Sequence, residues 1–437
     1  MGHCAVPTVA ADGAASGARL PIVHLSTVVK RRLVDRSGDR IGRLEDVIVR
    51  AGEHPHPPVV GAVARIAGRD LFLPVGRIDG IGSGSPVFDG ERIDLRRFER
   101  RPGELLLGRD LLARHLINLQ GGRLITANEI ELAEVDGTWE VVGVDPSSRP
   151  FLRRMLPGPL GRNVGSGPLV DWASIEPFVA HVPSARLRIP YRKLARLHPA
   201  QIADIVEAAS HDEGEEIIEA VQADRELEAD VFEELDAEHQ VELVRTRSDA
   251  DVARLLGRMA ADDAADLLME LDQSRRLPVL DLLPEPQQRK VRTLLSYNPE
   301  TAGGLMNPDF LALAASTPVA GVLEAIRRST AAPEALQVVF SLDDGGAVAG
   351  SATVVSLVRA EPDDPLAAVA VHTTVHIHPD WDVHAVVRTM SDFDLTVAPV
   401  MDRDHRRMLG VVTVDDVLKL LLPTGWRRDA GMTAAEE

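Results

Sequence analysis

Cysteine, aromatic residues and long apolar runs are all scarce in this 437-residue sequence. Its single cysteine, Cys4, permits no intramolecular disulfide, which fits a reducing cytoplasm. No apolar segment approaches the ~18 consecutive residues that a membrane-spanning helix needs, and no signal-peptide pattern opens the chain. We therefore expect a cytoplasmic protein without a transmembrane segment, unable by itself to conduct ions across a membrane.

Basic residues are also fewer than acidic ones. Lys and Arg number 48 against 67 Asp and Glu, so the formal net charge at pH 7 is −19. Such a surface repels nucleic acid and attracts divalent cations, so we expect no nucleic-acid partner. Most acidic proteins are acidic for solubility alone. Here, however, the negative charge gathers between Asp204 and Asp272, which makes cation binding a hypothesis to test.

Residues 24–157 have the pattern of short strands joined by turns. A strand–turn–strand segment at 33–42 has a weaker echo at 116–125, which indicates an internal repeat of two small β units. The pattern resembles PRC-barrel domains, which are small β-barrels used mainly as interaction modules. No nucleophile–base pair stands out here or elsewhere, so we do not expect an enzyme.

Residues 191–306 have apolar side chains at helical spacing. Capping or helix-breaking residues recur about every twelve positions, which predicts stacked antiparallel helix pairs in a solenoid-like array. Two of the helices show the spacing i, i+3, i+4, i+7, one through Val252, Leu255, Leu256 and Met259 and the next through Ala264, Leu267, Leu268 and Leu271.

Two βαβ-like units follow a Gly- and Pro-containing joint. The joint has Tyr297 followed by Glu-Thr-Ala-Gly-Gly-Leu-Met at 300–306. With both flanks matching in order and spacing, it closely resembles the segment joining the N domain to the CBS domains in the MgtE family of magnesium channels. The second βαβ unit, ending Gly-Val-Val-Thr-Val-Asp-Asp-Val-Leu at 410–418, strongly resembles a CBS domain. The first unit is degenerate.

The resemblance implies a multidomain α+β fold: a small β-barrel, then a solenoid-like helical domain, then a tandem βαβ CBS pair that forms a homodimer. We expect a disordered tail at 1–23, a PRC-barrel-like domain at 24–157, a linker at 158–190, an MgtE N-like helical domain at 191–306, the degenerate first CBS unit at 307–369, the second at 370–423, and a tail at 424–437.

Carboxylates suit magnesium because the ion prefers hard oxygen ligands. Asp262, Asp263 and Asp266 open one predicted helix, and their spacing puts Asp262 and Asp266 on one face. The same residues would also suit the helix dipole without any ion. By resemblance, Asp262 and Asp266 fall where the family places magnesium-binding carboxylates that face the CBS domain, and Asp416 is their CBS-side partner.

The resemblance also implies metal-binding roles for Asp382 and Asp394 in the second CBS unit. Two positions depart from the family: His384 and Lys419 stand where the family has acidic residues. The acidic segment that leads into the family's membrane domain is not found after residue 423. We therefore expect fewer cation sites than in the family.

Two other ligands compete with magnesium. CBS pairs that bind adenine nucleotides commonly use Thr/Ser-x-x-Asp, here Thr413 and Asp416, although the same pattern is close to a helix capping box. The alternating His372, His376 and His378 could share a strand face and ligate a transition metal. Exposed strand histidines without a ligand are the commoner case.

The resulting hypothesis is a regulatory sensor of magnesium. Mg²⁺ bridging Asp262 or Asp266 to Asp416 would close the helical domain on the second CBS unit. A separate membrane transporter is the expected partner, with the barrel as docking module. The alternatives are a CBS-type sensor of ATP or another adenine nucleotide, and a scaffold that binds no ion.

Overall fold

The computed structural model describes residues 22–50, 54–82, 85–90, 92–147, 169–178, 191–372, 375–404 and 407–421. Most of the expected linker and the expected tails, except residues 22 and 23, lie outside these residues. The chain divides into two compact units, residues 1–220 and 221–437. Among the described residues, no helix is both long and apolar enough to cross a membrane.

The first unit is rich in short strands. They are β1 (Val23–His24), β2 (Arg32–Asp35), β3 (Arg40–Arg50), β4 (Val59–Ile66), β5 (Arg69–Pro74), β6 (Ile78–Asp79), β7 (Val87–Phe88), β8 (Glu104–Leu106), β9 (His115–Asn118), β10 (Arg123–Thr126), β11 (Glu129–Val135), β12 (Thr138–Asp145), β13 (Val170–Asp171) and β14 (Ile175–Pro177). Its helices are α1 (Leu25–Val28), α2 (Tyr191–Leu194) and α3 (Pro199–Ala208), and α4 (His211–Val221) runs to its boundary.

These strands form three sheets. The largest has the order β5-β4-β3-β2-β7-β6, with β8 also on β3, and the others have the orders β1-β11-β12-β13 and β10-β9-β14. Alternating apolar residues give the two larger sheets one common core, to which β3 contributes Leu44 and Val47 and β11 contributes Ile130 and Leu132.

The expectation of a small closed β-barrel is wrong. In the described residues, the outer strands β5 and β6 of the largest sheet pair with β4 and β7 and not with each other. A barrel needs continuous pairing around its circumference, but β6 and β7 are only two residues long. Packing against a second sheet buries the apolar face instead.

Six short helices open the second unit: α5 (Arg225–Glu234), α6 (Ala237–Arg245), α7 (Asp249–Leu256), α8 (Ala261–Glu270), α9 (Gln273–Leu282) and α10 (Glu285–Leu294). Side chains cap several of them, as Asp236 does by accepting from the His239 amide at 2.9 Å. Each helix packs on the one two places along: α5 on α7, α6 on α8, α7 on α9 and α8 on α10.

The two βαβ units complete the second unit. Their elements are α11 (Ala302–Leu305), β15 (Ala312–Ala314), α12 (Val319–Arg328), β16 (Val338–Leu342), β17 (Val348–Thr353), α13 (Val354–Arg359), α14 (Leu366–Val369), α15 (Val383–Asp392), β18 (Val397–Met401), β19 (Met408–Thr413) and α16 (Val414–Leu421). Strand β15 is parallel to β16, β17 is antiparallel to it, and β18 and β19 form a second antiparallel pair.

The joint after α10 lies against the second βαβ unit. The Gly303 amide donates to the Pro379 carbonyl at 2.8 Å, and Asn307 and Val411 exchange two backbone hydrogen bonds at 2.7 and 2.9 Å. The turn within the joint needs glycine, because a Cβ on Gly304 would lie 2.5 Å from the backbone oxygen of Asn298. The joint therefore fixes the end of the helical segment to the second βαβ unit.

We predict that Gly304→Ala lowers the free energy of unfolding of the second unit by about 1–3 kcal/mol, because backbone atoms have to move to admit the methyl group. The matched control is Gly321→Ala inside α12, where the nearest atom to a new Cβ is a side-chain carbon at 3.4 Å. The control should be neutral or stabilising. Urea unfolding followed by circular dichroism measures both, and equal stability of the two variants would contradict the prediction.

Candidate interdomain carboxylate cluster

Helix α8 begins with two carboxylates, Asp262 and Asp263, and has a third, Asp266, one turn later. No side chain caps this helix; its N-cap residue is Ala260. The Ala260 amide donates instead to Oε1 of Glu233, at the end of α5, at 2.6 Å. Negative side chains are favourable near a helix N-terminus, but here four of them converge from two helices.

Among these four carboxylates, Asp262 has the surroundings least favourable to its charged form. Its Oδ1 atom is buried and has no hydrogen-bond partner. Burial raises the pKa of Asp262 well above its ordinary value, and the charges of Asp263, Asp416 and Glu233 raise it further. Because a buried acceptor without a donor is costly, this oxygen marks a position where a cation or a proton would be stabilising.

The neighbouring carboxylates are affected in the same way. Burial raises the pKa of Asp263 to about 6; the charge of Lys419 opposes this, and those of Asp416, Asp266 and Glu234 reinforce it. Desolvation by the surrounding protein, followed by the charge of Glu270, raises the pKa of Asp266 to about 6.

The other side of the cluster is the start of α16. Oδ2 of Asp416 accepts from the Thr413 hydroxyl at 2.7 Å and from the Thr413 amide at 3.3 Å. Burial raises the pKa of Asp416, although these hydrogen bonds and the charge of Lys419 oppose the rise. One turn along α16, Nζ of Lys419 lies 3.5 Å from Oε1 of Glu234 at the end of α5.

The structure thus brings Asp262, Asp263 and Asp416 within range of one another's charge. Asp266 acts on Asp263 and also lines a groove that includes Glu270 and His384. In the described part of the chain, no group of three or more His, Cys, Asp or Glu side chains is arranged to hold a metal ion.

The remaining predicted site residues lie elsewhere. Asp382 caps α15, its Oδ1 accepting from the Ala385 amide at 2.8 Å, and Asp394 follows the other end of that helix with a left-handed φ of 51°. Neither is among the charges with the largest effect on the pKa of Asp262, Asp263 or Asp416.

The histidines have other contacts. Nδ1 of His372 lies 2.8 Å from the Ala349 carbonyl oxygen. The rings of His376 and His378 meet edge-on with their centroids 6.5 Å apart.

Sequence reasoning missed Glu233 and Glu234. Burial, followed by the charge of Asp263, raises the pKa of Glu233 to about 7. Both residues lie on α5, about thirty positions before the carboxylates of α8. The available sequence signal was a pair of adjacent acidic residues at the end of an amphipathic helix. The packing of α5 brings Glu233 near Asp263 and Glu234 near Lys419.

These raised pKa values predict how stability depends on pH in EDTA. These carboxyls hold more protons in the folded state than in the unfolded chain, so their contribution to stability is largest below about pH 4 and is lost as pH rises through the folded pKa values of about 6 to 7. Glu233→Gln keeps the acceptor for Ala260 and removes the charge. We expect it to stabilise the second unit at pH 8 by about 1–3 kcal/mol, with little effect at pH 5.

Chemical unfolding at the two pH values provides the measurement. The control is Glu285→Gln, an exposed residue in the first turn of α10. An equal response of both variants at pH 8 would show that the cluster carries no repulsion.

Two family models match this chain. Residues 197–300 match the MgtE intracellular N domain, and residues 366–423 match the CBS domain. These matches confirm the resemblance seen in the helical segment and in the second βαβ unit. The PRC-barrel resemblance stays a prediction.

Curated relatives and solved structures match the same region. The magnesium transporter MgtE of Thermus thermophilus is 32% identical over 196 residues, which are 44% of this chain and 43% of the relative. The magnesium transporter MgtE of Enterococcus faecalis is 29% identical over 132 residues, which are 30% and 29% of the two chains. The present chain therefore spans less than half the length of these relatives.

Among solved structures, the cytosolic domain of the Mg²⁺ channel MgtE in complex with ATP matches with a TM-score of 0.49 and 28% identity, covering 53% of this chain and 93% of that one. The soluble part of a magnesium transporter matches with a TM-score of 0.48 and 22% identity, covering 53% and 90%.

Proposed function

We propose that this protein regulates magnesium homeostasis and that Mg²⁺ holds its N domain against its second CBS unit. The observation that carries the proposal is the buried Oδ1 of Asp262, which has no hydrogen-bond partner and lies in the combined field of Asp263, Asp416 and Glu233. The matches to an MgtE N domain and a CBS domain support a regulatory role and not a catalytic one.

The proposed mechanism is electrostatic. At neutral pH, carboxylates from α8 and α16 repel each other, and the repulsion favours separation of the two domains. A divalent cation between them turns the repulsion into attraction. The ion changes the domain equilibrium only if it binds the closed arrangement more tightly than the open one.

The described residues contain no preassembled group of three or more metal ligands, and this is compatible with magnesium. Mg²⁺ commonly keeps several water molecules and uses only one or two protein carboxylates. We propose Asp262 with Asp416 as those direct ligands, and Asp266 as a further carboxylate on the same helix. Asp382 and Asp394 remain proposed ligands of separate sites, where an ion at Asp382 would have to share the oxygen that caps α15.

The proposed partners rest on the same family matches and on exposed apolar side chains. We propose a cytoplasmic protein that signals to a membrane magnesium transporter, with the strand-rich first unit as docking module. We also propose a homodimer through the CBS pair. Val355 and Val358 on α13 are 60% and 67% exposed, and Leu418 on α16 is 46% exposed. Contact with a second copy would cover such apolar side chains.

We predict that Asp262→Asn combined with Asp416→Asn abolishes stabilisation by magnesium. Ligand that binds only the folded state stabilises by about 2.7 kcal/mol at a hundred times its Kd, and the double variant should lose this gain. Thermal unfolding is measured at pH 8 in EDTA and in increasing MgCl₂ at constant ionic strength.

The matched control is Asp281→Asn combined with Asp363→Asn, which removes two exposed carboxylates of the same unit. It should respond as the natural chain does. An unchanged response of the cluster variant would contradict the proposed ligands, and no response of the natural chain would favour the ion-independent scaffold.

A sensor of adenine nucleotide is the second candidate, and it would use Thr413 and Asp416 in the matched CBS domain. In the present structure these two side chains bond each other, and Thr413 is only 5% exposed. A nucleotide ribose would have to displace this contact. Because the pair already acts as a capping box, this displacement would also remove the cap of α16.

Calorimetry with ATP in EDTA separates the two functions. We expect no ATP binding that depends on Thr413, so the natural chain and Thr413→Val should give the same heats. Binding that is lost in Thr413→Val and kept in Asp262→Asn would establish the nucleotide sensor instead.

A further inference from the structure

Lys419 inserts a positive charge from α16 into the carboxylate cluster. Its Nζ lies 3.5 Å from Oε1 of Glu234 on α5, and the side chain is 40% exposed where that of Glu234 is 19% exposed. Asp416 lies three residues before it on the same helix and faces α8. The ammonium group therefore stands where α5, α8 and α16 converge.

Four carboxylates act on this ammonium group. Desolvation lowers the pKa of Lys419, but the charges of Asp263, Glu234, Asp416 and Glu233 outweigh it and raise the pKa. In return, Lys419 opposes the upward shifts of Asp263, Asp416 and Glu233. The lysine thus stabilises acidic groups from all three helices in their ionised form.

We propose that Lys419 is a built-in counter-ion that holds α16 against α5 and α8 and competes with a divalent cation for their carboxylates. The inference rests on the proposed function, because it concerns the regulation of that same site. In this role, Lys419 sets the magnesium concentration at which the protein responds.

One lysine neutralises the cluster only in part. The ammonium group pairs with Glu234, while Oδ1 of Asp262 remains buried without a hydrogen-bond partner. A divalent cation carries twice the charge and can bind Asp262 directly. The lysine should therefore keep the domains partly closed in the absence of metal, and it should weaken metal binding by lowering the negative potential at the site.

The test compares Lys419→Met with Lys419→Arg in the full chain. Methionine keeps most of the apolar stem and removes the charge, whereas arginine keeps the charge. Lys290→Met is the matched control, because Nζ of Lys290 pairs with Oδ1 of Asp309 at 2.5 Å in another part of the same unit. Thermal unfolding is recorded at pH 8 in EDTA and across a MgCl₂ titration at constant ionic strength.

We expect Lys419→Met to unfold at lower temperature than the natural chain in EDTA. Its midpoint for magnesium should fall about fivefold or more, which is the lower range of coupling between interacting ligands. Lys419→Arg and Lys290→Met should keep the natural midpoint. These results would establish the lysine as a competitor of the cation.

Three outcomes separate the inference from the proposed function. If the natural chain and Lys419→Met respond to magnesium with the same midpoint, the inference is overturned and the magnesium sensor stands. If only Lys419→Met responds, the inference holds and the natural chain is not a magnesium sensor. If neither chain responds at any concentration, both fail.

Discussion

The second unit depends on the convergence of carboxylates from three helices at one interface. Asp262 and Asp263 come from α8, Glu233 from α5 and Asp416 from α16. Burial raises the pKa of all four, and the charges of neighbouring carboxylates raise it further. Like charges brought together out of water destabilise a fold unless protons or cations neutralise them. We therefore expect the contact between α5, α8 and α16 to be sensitive to its ionic surroundings.

The joint gives this sensitivity a mechanical basis. Backbone hydrogen bonds from Gly303 and Asn307 fix the end of the helical segment to the second βαβ unit, and the tight packing around Gly304 leaves no room for a side chain. In the proposed mechanism, the helices before the joint would separate from α16 by bending at or before this point. A change in charge at α8 and α16 would then move one domain against the other.

Much of the second unit could be predicted from the sequence, because its signals are local. Apolar spacing through Val252 and Leu256 sets the helices, capping by Asp236 marks one of their starts, and the Gly303–Gly304 pair marks the joint. The open first sheet could not be predicted, because closure depends on distant pairing between strands as short as β6 and β7. The resemblance to PRC-barrel domains suggested a barrel, because the strand pattern is local and does not show which distant strands pair.

The site was predictable in part. Asp262 and Asp416 stand out through local spacing and resemblance, whereas Glu233 and Glu234 become neighbours of Asp263 and Lys419 only when α5 packs beside them. Asp382 shows the opposite case, since its carboxylate is engaged as the cap of α15. A carboxylate with a good sequence match can thus serve the backbone, and one without any motif can shape the electrostatics of the site.

Magnesium binding to these carboxylates should release protons. Metal ions bind the deprotonated carboxylate, so ligands with raised pKa values must lose protons when the ion enters. Calorimetric titration of the full chain with MgCl₂ at pH 6.5, in two buffers of different ionisation enthalpy, measures that release. If Mg²⁺ binds these carboxylates, the heats at pH 6.5 should depend on the buffer, and this dependence should weaken as the pH rises. Magnesium binding with no proton release at pH 6.5 would contradict binding at these carboxylates.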